Sequence, residues 1–136
     1  MANALYDSAR GLYLTAGLTW ASDNVKVALV RGYTFSSSHA NLSDITGGGG
    51  GTIVATSGNL ASKTTTSGVA GAANITYTAV AAGAACAHLI IYKDTGTAGT
   101  SSLIAAIDTA AGLPVTPNGQ DITVSWDTGA NKIFKL

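Results

Sequence analysis

Two histidines, His39 and His88, and four turn-proximal aspartates, Asp94, Asp108, Asp121 and Asp127, are the side chains best suited to acid–base or metal chemistry. General acid–base catalysis needs such groups held together, so that their surroundings tune their pKa values. Here the histidines lie far apart in sequence, and neither has a cysteine or carboxylate at ligand spacing, which makes a poor zinc site. The aspartates could gather a calcium ion through carboxylate and carbonyl oxygens, but turn aspartates ordinarily bond their own backbone. Gly47-Gly-Gly-Gly-Gly-Thr52 resembles a phosphate cradle only in its glycines: a P-loop needs a lysine after the last glycine and a helix beyond it, whereas Thr52 opens a strand-like run. The glycines are read as a flexible or close-approach segment. Cys86 is the single cysteine, so no internal disulfide can form, and in Ala84-Ala-Cys-Ala87 it reads as a small buried apolar residue rather than a reactive thiol. The expectation is a protein with no catalytic residues, no cofactor and no metal site, and not an enzyme.

The elements that would position these residues are strands. The chain has 136 residues, enough for one core, and is read as a single β domain over 1–136. Glutamate is absent and lysine and arginine are few, which removes most residues that fill exposed helix positions, while threonine, valine and isoleucine suit strands. Formal net charge is zero, and Arg10, Lys26, Arg31, Lys63, Lys93, Lys132 and Lys135 are scattered rather than striped, so nucleic-acid binding is not expected. A near-zero net charge gives little colloidal protection against association, as suits a subunit of an assembly. The N-terminus lacks the pattern of a signal peptide, and no apolar stretch is long enough to span a membrane. A soluble protein made in a cytoplasm is expected, and the sequons at Asn41 and Asn74 are read as accidental.

Along the chain, Leu5, Ala9, Leu12, Tyr13 and Ala16 follow helical spacing, with Asn3 as N-cap and Gly17 as the stop. This helix, through Leu5 and Leu12, caps a sheet or docks on a neighbour. Val25–Val30 reads as a strand. Residues 31–51 form a long glycine-rich loop without sustained period, in which Asn41–Ile45 can add a single helical turn; loops of this length in a compact domain are usually functional or mobile. Strand character returns at Thr52–Thr56, at Asn74–Val80 with Ile75, Tyr77 and Ala79 on one face, at Ala87–Tyr92 and at Ser102–Asp108. The last two are mostly apolar runs, and Ala87–Tyr92 suggests a strand covered on both faces. Pro117-Asn-Gly-Gln120 is a turn, and Asp121–Trp126 and Lys132–Leu136, joined by Asp127–Asn131, read as a terminal β-hairpin with Trp126 in the core. The predicted fold is all-β: a β-sandwich or jelly roll of about seven to nine short antiparallel strands with one short N-terminal helix.

Leu89-Ile-Ile-Tyr-Lys-Asp-Thr-Gly-Thr97, Leu103–Asp108, Gly112–Asp127 and Gly129–Leu136, together with Ala2–Asp7 and Val25–Val30, resemble a family of small tailed-bacteriophage virion proteins. The resemblance touches both ends and most of the second half; it does not extend to residues 31–51, and it brings no catalytic motif. It implies a capsid cement or decoration protein that binds the outside of the head as a homo-oligomer, a dimer or trimer, and bridges copies of the major capsid protein. The protein would then be made in the host cytoplasm and reside on the virion surface. The alternative is a tail or head-fibre component with a receptor- or glycan-binding role, for which the aromatic loop is the motive. As partner contacts the sequence offers Tyr33, Phe35, Leu42 and Ile45, apolar residues in that loop; the opposing reading is that they pack beneath it.

Overall fold

The alternation of Val25, Val27 and Leu29 and the apolar run Leu89–Tyr92 become paired inner strands of a five-stranded sheet. The computed structural model describes residues 3–110, 112–126, 128–130 and 132–136. Among these, the elements are β1 (Ala4–Leu5), α1 (Asp7–Leu14), β2 (Val25–Arg31), α2 (Leu42–Thr46), β3 (Thr52–Thr56), a 3-10 turn (Thr66–Gly68), β4 (Val69–Ala70), β5 (Ile75–Tyr77), β6 (His88–Lys93), β7 (Leu103–Ile107), β8 (Ile122–Val124) and β9 (Phe134–Lys135). The main sheet has the order β1-β7-β6-β2-β3, and β4-β9 and β5-β8 form two separate ribbons. Each of these strand pairs is antiparallel.

Register explains why β6 and β7 are apolar on both faces. Leu29 pairs with Leu89 and Leu89 with Ile107, which sets these side chains on one face. Leu29 and Leu89 line, with Ile122 and Val124 of β8, an apolar cavity of about 170 Å³ between sheet and ribbon. The opposite face carries Val30 and His88, a directly opposed pair, and lies under the 31–51 loop: Gly51 packs against Val30, and the Tyr33 ring meets His88. With both faces covered, every residue of β7 is buried, and so are the four inner residues of β6. Cys86 is fully buried beside this strand, as its alanine-rich context predicted.

Two expectations are corrected. The terminal hairpin does not form among the described residues. Ile75 pairs with Val124 and Tyr77 with Ile122, while Val69 pairs with Lys135 and Ala70 with Phe134. An isolated two-stranded hairpin is marginal in water, and the side chains of this segment bond better at a distance. The Asp121 carboxylate accepts the Ala79 amide at 2.8 Å, Asn74 accepts the Trp126 amide at 3.1 Å, and the Trp126 indole donates to the Ala73 carbonyl at 3.0 Å. Trp126 is consequently half-buried at the rim rather than in the core. Asp127 and Asn131, in the turn assigned to that hairpin, lie outside the described residues.

The second correction concerns Asn3, expected to cap the helix. Tyr6 occupies the N-cap position, and Asn3 instead accepts the amides of Asp108 and Thr109 at 3.0 and 2.9 Å, holding the N-terminal strand on β7. The helix ends near the expected glycine. Ala16 takes the left-handed conformation at φ 62°, and the Gly17 amide closes on the Leu12 carbonyl at 2.8 Å. A Cβ on Gly17 would stand 2.6 Å from Leu12 Cδ2, a contact the end of the leucine side chain can relieve by shifting.

Candidate functional site

The 31–51 loop, the longest stretch without period, is fastened to the sheet by its own aromatic residues. Tyr33 retains 6% exposure and Ile45 none, while Phe35 and Leu42 are half-buried against the core. Tyr33 and Ile45 therefore follow the opposing reading and pack beneath the loop, offering almost no surface to a partner in the isolated chain, whereas Phe35 and Leu42 keep part of theirs exposed. The Tyr33 hydroxyl bonds the Tyr6 hydroxyl at 2.9 Å and His39 Nδ1 at 2.8 Å, and its ring meets His88 edge-on at 5.2 Å. Both histidines, unrelated by spacing, thus converge on one tyrosine. Phe35 packs on Tyr6 with centroids 5.3 Å apart.

The glycine run makes this possible. A Cβ on Gly49 would fall 2.4 Å from the Tyr33 ring and 2.9 Å from the Ile45 carbonyl, and one on Gly51 would crowd Tyr33, Val30 and Ile45 at 3.0 to 3.1 Å. Only glycine lets the backbone lie so close to the ring. The run is not a slack linker: the amides of Gly47, Gly49 and Gly51 donate to the carbonyls of Ser43, Asp44 and Ile45 at 3.0, 2.8 and 2.8 Å, and Thr34 donates to Gly49 at 2.9 Å. The turn expected at Asn41–Ile45 is α2, closed by a capping box between Asn41 and Asp44.

Burial sets the electrostatics of this cluster. It drives the Tyr6 phenol far above its ordinary range, with the Tyr33 hydrogen bond acting in the same sense, and it also raises Tyr33, which the bond from Tyr6 partly offsets. Burial lowers His88 against the pull of Asp108, and its Nδ1 is buried without a hydrogen-bond partner. At neutral pH the phenols are protonated and His88 is uncharged. The hydrogen bonds along Tyr6, Tyr33 and His39 tie N-terminus, loop and sheet together. The Asp44 carboxylate accepts the amides of Asn41 and Ala40, which holds it below the usual carboxylate range.

Among the described residues, the candidate aspartates Asp94, Asp108 and Asp121 do not assemble into a metal-binding group. Asp94 pairs with Lys26 at 2.8 Å, Asp121 serves the Ala79 amide, and Asp127 is outside the described residues. No group of three His, Cys, Asp or Glu capable of holding a metal occurs among the described residues. No helix among them is long and apolar enough to cross a membrane.

A second region was not found from the sequence. Between the end of α1 and the β4-β9 ribbon lies an almost wholly apolar groove of about 190 Å³, with Tyr13, Trp20, Val69, Ala70, Phe134 and Leu136 in its walls. Trp20 meets Phe134 edge-on at 5.3 Å and anchors its indole on the Gly71 carbonyl at 3.2 Å. Leu136 in its wall is one of the two exposed large apolar residues of the described chain, at 61% exposure; the other is Leu14, at the end of α1, at 88%. No family model matches the chain, and no curated protein matches it.

Proposed function

We propose that this protein is a capsid cement or decoration protein that binds the outside of a tailed-phage head and bridges major capsid protein subunits. The observation that carries the reading is the use of polar side chains as long-range ties. Asn3 clamps Thr109, Trp20 holds Gly71, Tyr77 donates to the Val27 carbonyl at 2.8 Å, and Asp121, Asn74 and Trp126 bind the two chain halves together. A domain whose loops are bonded to its sheet transmits load with little internal give, as a shell fastener must. The resemblance of the β2, β6, β7 and C-terminal segments to small virion proteins supports the same reading. So does the packing of the β5-β8 ribbon over Leu29 and Leu89, which we read as the second layer of a β-sandwich of jelly-roll type.

Binding the assembled shell in preference to free subunits stabilises that state by mass action, and several interfaces of about 1,200 to 2,000 Å² per copy multiply the effect. The protein would be synthesised in the bacterial cytoplasm and end on the virion. Virions stripped of it should lose heat and osmotic-shock resistance and regain both on add-back; equal survival of stripped and intact virions would exclude the role. A tail or head-fibre component that binds a receptor glycan is the second reading, favoured by a recess of about 450 Å³ where Trp126 stands beside Thr64, Asn74, Thr128 and Lys132. Copy number per virion separates the two: a lattice-matched count fits cement, a tail or single-vertex count fits the fibre part.

A further inference from the structure

We propose that the recess beside Trp126 is one subsite of a longer trough that binds an acidic oligosaccharide, with the Trp126 ring stacked on a sugar face and Lys132 paired with a sugar carboxylate. This rests on the glycan reading of that recess and does not depend on where an assembly places the protein. Trp126 and Lys132 stand in the wall of that recess, of about 450 Å³, and also in the wall of a second, of about 400 Å³, which includes Asn3, Thr109 and Ser125. The second shares Asn3, Ile107 and Ile133 with a third of about 400 Å³, where Arg10 and Lys135 stand. Each volume lies within the roughly 300 to 1,000 Å³ of ligand pockets, and the shared walls join them into a trough for several linked sugars rather than one.

An acidic sugar offers an apolar C–H face, hydroxyls that donate and accept, and a carboxylate, and the trough holds a counterpart to each. Trp126 is fixed before any ligand arrives: its indole donates to the Ala73 carbonyl at 3.0 Å and its amide to Asn74 at 3.1 Å, so stacking on it carries little further ordering cost. In the first recess the Asn74 amide nitrogen and the hydroxyls of Ser62, Thr64 and Thr128 have no hydrogen-bond partner among the described residues. The charge has one sign. Lys132 and Lys135 are exposed and form no ion pair among the described residues, unlike Lys26 and Lys93, which hold Asp94 and Asp23. No carboxylate of a described residue lines any of the three recesses. A neutral glycan would leave both lysines unused, whereas a carboxylate on successive sugars gives each a charge-assisted hydrogen bond. Lys132 and Ser62 also hold left-handed backbone, at φ 41° and 52°, and non-glycine outliers of this kind gather at ligand sites.

Calorimetric titration of the full chain tests the trough, with tetramers of galacturonate, mannuronate and sialate, each also as its uncharged methyl ester, and with tetraglutamate. At least one acidic tetramer should bind with Kd below about 1 mM, and at least about tenfold tighter than its methyl ester and than tetraglutamate. Lys132→Gln should weaken that binding about tenfold and Lys132→Arg should restore it, while about 1 M salt should erase the preference for the acid form. Trp126→Ala should abolish binding. The thermal midpoint of Lys132→Gln should match the wild type, since Lys132 is exposed and unpaired, which separates lost binding from lost folding. Methyl esters bound as tightly as the acids would overturn the acidic class and leave the glycan reading standing. Tetraglutamate bound as tightly as the sugars would mean that charge alone is read, and a tetramer indifferent to both Lys132→Gln and Trp126→Ala would bind elsewhere; either result overturns the proposal. No tetramer bound at about 10 mM, charged or esterified, would overturn the trough and the glycan reading together.

Discussion

The glycine-rich loop from Arg31 to Gly51 and the segment from Pro114 to Leu136 reverse what their compositions announce. The loop, with five consecutive glycines, looks slack, yet it is held by its own neighbours: α2, the glycine amides and the Tyr33 hub. The C-terminal segment, with turn residues between alternating strands, looks self-sufficient, yet its strands pair with β5 and β4 far upstream. Where a segment's backbone bonds end decides its order, and glycine content and alternation do not. The loop is closed locally over a distant tyrosine contact, whereas the C-terminal segment has no stable partner until the middle of the chain is in place.

Perturbing the loop at its anchor should have the largest effect. Ile45→Ala removes a fully buried side chain under α2 and is expected to cost about 2 to 5 kcal/mol in denaturant unfolding at unchanged m. Gly49→Ala should follow at about 1 to 3 kcal/mol, because the new methyl lands on the Tyr33 ring. Gly48→Ala, one residue away, meets only His39 Nε2 at 3.7 Å and should stay within about 0.5 kcal/mol. Equal effects at the two glycines would mean that the run acts through chain entropy rather than close approach.

On the other side of the comparison, Tyr77→Phe deletes the buried bond to the Val27 carbonyl and should cost about 1 to 2 kcal/mol. Trp126→Phe loses only a rim bond to Ala73 and should cost about 1 kcal/mol or less.

Acid should distinguish the regions least strongly but with a definite sign. Asp44 and His88 both have folded pKa values depressed below their unfolded ones. Each therefore contributes stability in full above its unfolded pKa, about 4 for the aspartate and about 6.5 for the histidine, and loses it as pH falls through the folded value. Stability should decline on acidification from about pH 6.5, and His88→Phe should flatten the upper part of that decline while Asp44→Ala flattens the part below about pH 4. Unfolding curves recorded across this range would expose either failure.

The strands were legible where burial and period agree. Thr52–Thr56 matches its expected bounds, Val25–Val30 ends one residue short, and Ala87–Tyr92 and Ser102–Asp108 are each off by one residue at both ends, because mostly apolar runs between turn residues have few other ways to be buried. Asn74–Val80 is shorter than its alternation, since Ala79 takes φ 47° and its amide turns to Asp121. The terminal hairpin was misread because local turn chemistry is visible in sequence and a better partner elsewhere in the chain is not. The convergence of His39 and His88 on Tyr33 was illegible for the same reason. Periodicity has no purchase on a loop, so the inward direction of Tyr33 and Ile45 emerged only with the fold. The apolar groove by Tyr13 was illegible as well, because it depends on Trp20 and Phe134 meeting across the molecule.

Amide hydrogen exchange of the native protein reads the order of the two regions most directly. If the loop is fastened as described, Thr34, Gly49 and Gly51 exchange slowly, with protection approaching that of β2 and β6, while the solvent-facing Gly48 exchanges fast. Uniformly fast exchange from Thr34 through Gly51, at the rate of an unstructured glycine linker, would contradict the assignment of this loop as a rigid, self-fastened part of the domain.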